Sequence, residues 1–88
     1  MKQIQSVNIW INGEQKEGTQ FSVICVNDNY ESSATNYWQI YDVDSQSLAQ
    51  GNLTISGQDY INWGDQPAMK INEWIYNWSA DKLNLTII

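Results

Sequence analysis

The stretch NYWQIYDVDSQSLAQGNLTISG, Asn36 to Gly57, decides the fold: two runs rich in aromatic and β-branched residues flank Asp42, Asp44, Ser45 and Ser47. Short polar side chains bond their own backbone and favour a reversal, so the stretch reads as a β-hairpin. Trp38 and Ile40 share one face of its first strand, and Tyr37, Tyr41 and Val43 share the other. On the return strand Leu53 and Ile55 alternate with Asn52 and Thr54. The expected core stripe is Trp38, Ile40, Leu53 and Ile55 in cross-strand pairs, which leaves Tyr37 and Tyr41 facing outward. Gly51 is a candidate bulge.

Upstream, Val7, Ile9 and Ile11 alternate with Asn8 and Trp10, the period-2 pattern of a half-buried strand. Asn12-Gly13 tolerates the positive φ angles of a type I′ turn and should reverse the chain into Glu14 to Lys16, with a break or bulge at Gly18. Thr19 to Val26 is apolar on both faces, which assigns it to the middle of the sheet, and Cys25 within it reads as a small buried hydrophobe. The polar run Asn27 to Thr35 is expected to be a mobile loop.

Downstream, Ser56 to Asp65 carries two glycines and reads as a loop or short irregular strand. Asp65 or Gln66 before Pro67 suggests an N-cap followed by proline in the first helical turn. Across Gln66 to Leu83, Ile71, Trp74, Ile75 and Trp78 fall at i, i+3, i+4 and i+7 and should face the sheet. Met69, Tyr76 and Leu83 lie within about 40° of one another on the far side, at 100° per residue, and form a second apolar line. Asn84 suits a left-handed C-cap, and Leu85 to Ile88 reads as a short terminal strand. The expected fold class is therefore α+β: a mainly antiparallel sheet of about four to six strands, one C-terminal amphipathic helix packed on it and a short terminal strand.

Composition narrows the chemistry. An 88-residue chain is one domain, residues 1–88, hiding roughly 60 to 65% of its unfolded surface. A hydrophobic fraction of 42% with 11 Trp, Tyr and Phe residues is too high for a disordered chain. The net charge is −6, Arg is absent, and Lys2, Lys16, Lys70 and Lys82 are scattered singly. Nucleic-acid binding through counterion release needs clustered bases, so neither nucleic acid nor an anionic membrane surface is an expected partner. The N-terminal MKQIQSVNIWING lacks an apolar h-region, no run approaches a membrane span, and the expected location is the cytoplasm or a particle assembled there. The sequons at Asn52, Asn77 and Asn84 carry little weight without a secretion signal.

There is no histidine, which removes the commonest general base and metal ligand, and no phosphate-loop or dinucleotide fingerprint is present. Asp42-x-Asp44-x-Gln46 begins like a calcium loop but has Ser47 at the glycine position and Leu53 at the bidentate position. Nothing in the spacing of Asp42, Asp44, Asp59 and Asp65 fixes a glycosidase-like carboxylate pair. No cofactor, metal or enzymatic activity is expected. The positive signal is the surplus of aromatic and apolar side chains once a core is assigned: Trp10, Tyr37, Tyr41, Trp63, Met69 and Tyr76 form the candidate interaction surface.

The order of elements adds a resemblance. YWQIYDVDSQSLAQGNLTISG, then QDYINWG, then INEWIYNWSADKLNLTII resembles small accessory proteins encoded among the structural genes of tailed bacteriophages. There a strand ending in an acidic turn leads through an S-G-x-x-Y-x-x-W-like loop to a helix and an L-x-L-T-like strand. The resemblance covers residues 36 to 88 and implies a non-catalytic role in a virion or tail, as an oligomer. Three readings stand at this point. They are a structural or protein-interaction module that binds a protein partner or itself, an acidic inhibitor or decoy for a basic protein surface, and a carbohydrate-binding module using exposed aromatics.

Overall fold

Asn12 and Gly13 adopt φ of 51° and 80°, the paired positive angles a type I′ turn demands, and join the first two strands into a tight hairpin. The computed structural model describes residues 1–88, with β1 at Lys2–Ile11, β2 at Glu14–Asp28, β3 at Ser33–Tyr41 and β4 at Ser47–Ser56. Two helices follow, α1 at Gly57–Gly64 and α2 at Ile71–Lys82. The strands form one antiparallel sheet in the order β1-β2-β3-β4, so the fold is α+β with a mainly antiparallel sheet. Both helices pack on the same sheet face, around a core of Ile4, Phe21, Val23, Ala34, Ile40, Ile55, Ile75, Tyr76 and Ala80.

The turns obey local chemistry. Asp42 Oδ1 accepts from the backbone N–H groups of Asp44 and Gln46, both at 2.9 Å, and Ser45 sits at φ 65°. The acidic turn is thus closed by its own side chain. Asn27 to Thr35 is not the expected long loop: β2 continues to Asp28, β3 begins at Ser33, and Asn29 Oδ1 accepts from the N–H groups of Glu31, Ser32 and Ser33.

Register departs from the expected stripe. Trp38 pairs with Gly51 and Ile40 with Ala49, while Leu53 and Ile55 lie opposite Asn36 and Ala34. The apolar residues of the two strands therefore sit diagonally rather than side by side. Leu48 is the unpaired residue where the register shifts between Ile40 and Tyr41, so the bulge lies there and not at Gly51. Gly51 instead makes room for an indole: a Cβ built on it would lie 2.8 Å from Trp38 Cζ2. Gly51→Val is expected to lose about 1–3 kcal/mol in urea unfolding, because the Trp38 ring must leave its position.

Gly18 does not break β2. The pairing register shifts opposite it, between Gln3 and Val7, and a Cβ at Gly18 would come within 2.5 Å of Ile40 Cγ2. β2 lies between β1 and β3 as expected, but β1 pairs with it only as far as Phe21; Phe21 and Val23 are buried, whereas Ile24, Cys25 and Val26, in the half paired with β3 alone, are exposed. Cys25 is exposed rather than the buried hydrophobe its neighbours suggested, because it lies beyond Phe21, where β1 no longer pairs with β2, and next to a register shift against β3.

The segment Ser56–Asp65, read as a loop, contains α1. Gly57 at φ 60° turns the chain off β4, and α1 crosses back over the sheet so that Tyr60 Oη donates to Asp28 Oδ1 at 2.6 Å. That carboxylate holds the phenol protonated and pushes the Tyr60 pKa up from 10.0 to about 12. A raised folded-state pKa means the contact is fully present below pH 10 and is lost as pH rises through about 12. Phenolate absorbance is expected to show one late-titrating tyrosine, which returns toward 10.0 in Asp28→Asn.

Pro67 does not open α2. Its carbonyl accepts from Lys70 and Ile71 N–H in a separate turn, and the helix begins at Ile71 after Lys70. The buried residues of α2 are Ile75, Tyr76, Ser79 and Ala80, a face turned by about a third of a revolution from the tryptophan stripe. Small Ser79 and Ala80 let the helix approach the sheet, and Ile71, Trp74 and Trp78 flank the contact half-exposed. Trp78 Nε1 donates to Asp59 Oδ2 at 3.2 Å, which ties α2 to α1. Asn84 takes φ 57°, and the chain end then docks on β1: Ile4 bridges Ile87, Gln5 N–H donates to Thr86 O at 2.8 Å, and Ile88 N–H donates to Gln3 O at 3.0 Å. The expected terminal strand is thus a single bridge on the outer edge of β1.

Candidate functional site

One face of the sheet carries both helices; the other carries none. Strand alternation assigns Ser22 and Ile24 of β2, Thr35, Tyr37, Gln39 and Tyr41 of β3, and Gln50, Asn52 and Thr54 of β4 to the open face. Across it Ile24 pairs with Tyr37, Ser22 with Gln39, Gln39 with Gln50 and Tyr37 with Asn52.

These side chains bond to one another. Tyr37 Oη donates to Gln50 Oε1 at 2.6 Å and accepts from Gln39 Nε2 at 3.1 Å, and Tyr41 Oη donates to Gln39 Oε1. The result is a continuous row, Tyr41-Gln39-Tyr37-Gln50, that ties two phenol rings together on the open face. A side chain already held in one rotamer loses less entropy when a partner docks. Ile24, 55% exposed, stands beside Tyr37 as the apolar member of the patch.

No charged residue lies in this patch, although the chain holds ten acids and four bases. The acids sit on the β1–β2 ribbon (Glu14, Glu17), at turns (Asp28, Glu31, Asp42, Asp44) and on or beside the helices (Asp59, Asp65, Glu73, Asp81). The one ion pair, Lys16 Nζ to Glu14 Oε2 at 3.3 Å, is exposed and far from the patch. No group of three or more acidic or cysteine side chains is arranged to hold a metal ion.

Of the six candidate residues, the structure brings together only Tyr37 and Tyr41. Trp10 is exposed and belongs to the same face, but it pairs with Gln15, five residues along β2 from Gln20, the partner of Tyr41. It therefore stands well out on the β1–β2 ribbon. Trp63 is half-buried against the core: its Nε1 donates to Ile71 O at 3.2 Å and its ring meets Tyr60 edge-on at 6.1 Å. Its task is to join α1 to the start of α2. Met69, 92% exposed, lies in the turn before α2, outside the sheet.

Tyr76 is not a surface residue. It is 4% exposed, packs edge-on against Phe21 with ring centroids 5.8 Å apart, and has Lys2 Nζ 5.6 Å from its ring centre. The far-side apolar line of Met69, Tyr76 and Leu83 therefore does not exist as a surface, since Leu83 also packs on the core. Gln39 and Gln50 are the members that sequence reading missed. The period-2 alternation that exposes Tyr37 and Tyr41 also exposes Gln39 between them, so the signal was present in β3.

A shallow, open depression of about 200 Å³ lies on α2 and the preceding turn, lined by Gln66, Lys70, Glu73, Trp74 and Asn77. No helix is long and apolar enough to cross a membrane. Comparison with family models, with curated proteins and with solved structures finds no match to this chain.

Proposed function

We propose that the chain is a non-catalytic interaction module that binds a protein partner through the open sheet face, with Tyr37, Gln39, Tyr41, Gln50 and Ile24 as the contact residues. The observation that carries this reading is the pre-bonded tyrosine and glutamine row on an uncharged patch of an otherwise acidic molecule. Tyrosine gives a large contact area at small entropic cost, and charge is depleted at the centre of protein interfaces. A role in an assembled particle, as in the phage accessory proteins that residues 36 to 88 resemble, suits such a module.

The decoy reading has less support. A phosphate mimic needs carboxylates massed on one surface, and here they are distributed around the sheet and helices. A carbohydrate platform is the second reading, favoured by the same row, because amide and phenol groups beside an aromatic ring also suit sugar hydroxyls.

The test is quantitative capture from the native host, wild type against Tyr37→Ala/Tyr41→Ala, with Met69→Ala as the control. A protein retained by wild type and by Met69→Ala but lost at least tenfold by the double variant is the expected result. Equal retention by all three, or glycan-array binding that the double variant abolishes, overturns the protein-partner reading.

A further inference from the structure

We infer that Asn12 is a site of spontaneous covalent modification, at which the side-chain amide is lost through attack by the Gly13 backbone nitrogen. In this reaction Gly13 N bonds to Asn12 Cγ, the Cγ–Nδ2 bond breaks, and ammonia leaves with the Gly13 amide proton. Water then opens the five-membered imide. Cleavage at Cγ leaves an aspartate, and cleavage at the Asn12 backbone carbonyl leaves an isoaspartate, whose main chain runs through the former side chain.

The attacking nitrogen must be unshielded and free to move. Gly13 has no Cβ, and one built on it would meet no atom within 4 Å. Asn12 and Gly13 are both exposed, strand pairing ends at Ile11 and Glu14 on either side, and the Gly13 N–H makes no backbone hydrogen bond. The attack requires the Asn12–Gly13 peptide to swing out of its type I′ geometry, and no packed neighbour restrains that rotation at Gly13.

The other asparagines lack this combination. Asn12 is the one asparagine of ten that precedes a glycine, and seven of the other nine lie within strands or helices, where the following peptide is held in place. Asn29 and Asn84 lie in turns, but they precede Tyr30 and Leu85. Asn29 Oδ1 is occupied by three backbone N–H groups, and the Leu85 N–H already donates to Ala80 O at 2.8 Å.

Either product adds a carboxylate to a chain already at −6, beside the Glu14 of the Lys16–Glu14 ion pair. The isoaspartate also lengthens the main chain of a two-residue turn, which upsets its match to the flanking strands. The change is local, because Ile4, the core residue of β1, lies toward the other end of that strand. The site is separate from the open sheet face and does not depend on what binds there.

The test is prolonged incubation of folded wild type, Gly13→Ala and Asn12→Ser in mildly alkaline buffer. Intact mass follows the exchange of amide for acid, and peptide mapping with electron-transfer fragmentation locates it and separates aspartate from isoaspartate. Wild type is expected to convert first at Asn12, with both isomers present. Gly13→Ala should convert there about tenfold more slowly or worse, because its methyl group shields the nitrogen. Asn12→Ser should gain no mass while wild type converts. Wild type that stays unconverted over an interval in which the urea-unfolded chain converts fully overturns the inference, as does conversion that begins at Asn29 or Asn84, or an equal rate in Gly13→Ala.

Discussion

Tyr76→Ala is expected to be the most destabilising single substitution in the chain, lowering the urea midpoint sharply. Removing a buried aromatic ring costs about 3–5 kcal/mol, against a total stability of roughly 4–13 kcal/mol for a chain of this length. Tyr76 is 4% exposed and its ring fills the space between Phe21 and the Lys2 side chain, so the cavity left by alanine has no loop to collapse into. Tyr76→Phe keeps the edge-on contact and should stay within about 1 kcal/mol of wild type, because no hydrogen bond from the hydroxyl is lost. Met69→Ala, at a position 92% exposed, should change stability by less than about 0.5 kcal/mol. Urea unfolding followed by tryptophan fluorescence separates these outcomes. If Met69→Ala proved the costly change and Tyr76→Ala the mild one, the orientation of α2 would be reversed.

Asn36→Leu should raise stability by about 1–3 kcal/mol. Asn36 is 1% exposed on the helix-covered face of β3, and neither its Oδ1 nor its Nδ2 has a hydrogen-bond partner; Ser79 Oγ, on the buried side of α2, is also unpartnered at 0% exposure. Each such group loses its water on folding and gains nothing in return. Leucine keeps the branch at Cγ and has no polar atoms, so the penalty disappears without creating a void, less the cost of seating its larger methyl groups. Asn36→Asp adds a charge at the same point and should be strongly destabilising near neutral pH, with partial recovery in acid as the carboxyl takes up a proton. The urea midpoint at constant slope measures both. A loss of stability in Asn36→Leu would mean that the amide is satisfied after all.

The parts of the fold legible in the sequence are those set by neighbours in the chain. Asn12-Gly13 and the Asp42 turn carry their own conformational preferences, and alternation in β1 and β3 assigned the correct faces to Val7, Ile9, Tyr37 and Tyr41. What the sequence concealed depends on contacts between distant elements. α1 is a short helix bounded by Gly57 and Gly64 with no side-chain cap, so nothing local marks it, and its support comes from Tyr60 reaching Asp28 and Trp78 reaching Asp59.

The rotation of α2 has a similar cause. Its tryptophans outrank its other residues in apolar area, yet the helix lies close to the sheet through Ser79 and Ala80 and puts Tyr76, not Trp74, against Phe21. Close approach outweighed side-chain size. Half of the candidate site was readable for the same reason as the strands: Tyr37 and Tyr41 follow from alternation, whereas the link to Gln50 needed the β3–β4 register, which the bulge at Leu48 sets. Trp10, Trp63, Met69 and Tyr76 shared only an aromatic or apolar character, and the fold sends each to a different task.

Tyrosine-resolved hydroxyl-radical footprinting of the dilute protein tests the account most directly, since it reads which sheet face is covered and which is open. The prediction is strong labelling of Tyr30, intermediate labelling of Tyr37 and Tyr41, and almost none of Tyr76 until the chain unfolds. Labelling of Tyr76 at the level of Tyr30, with Tyr37 and Tyr41 protected in the monomer, would contradict it.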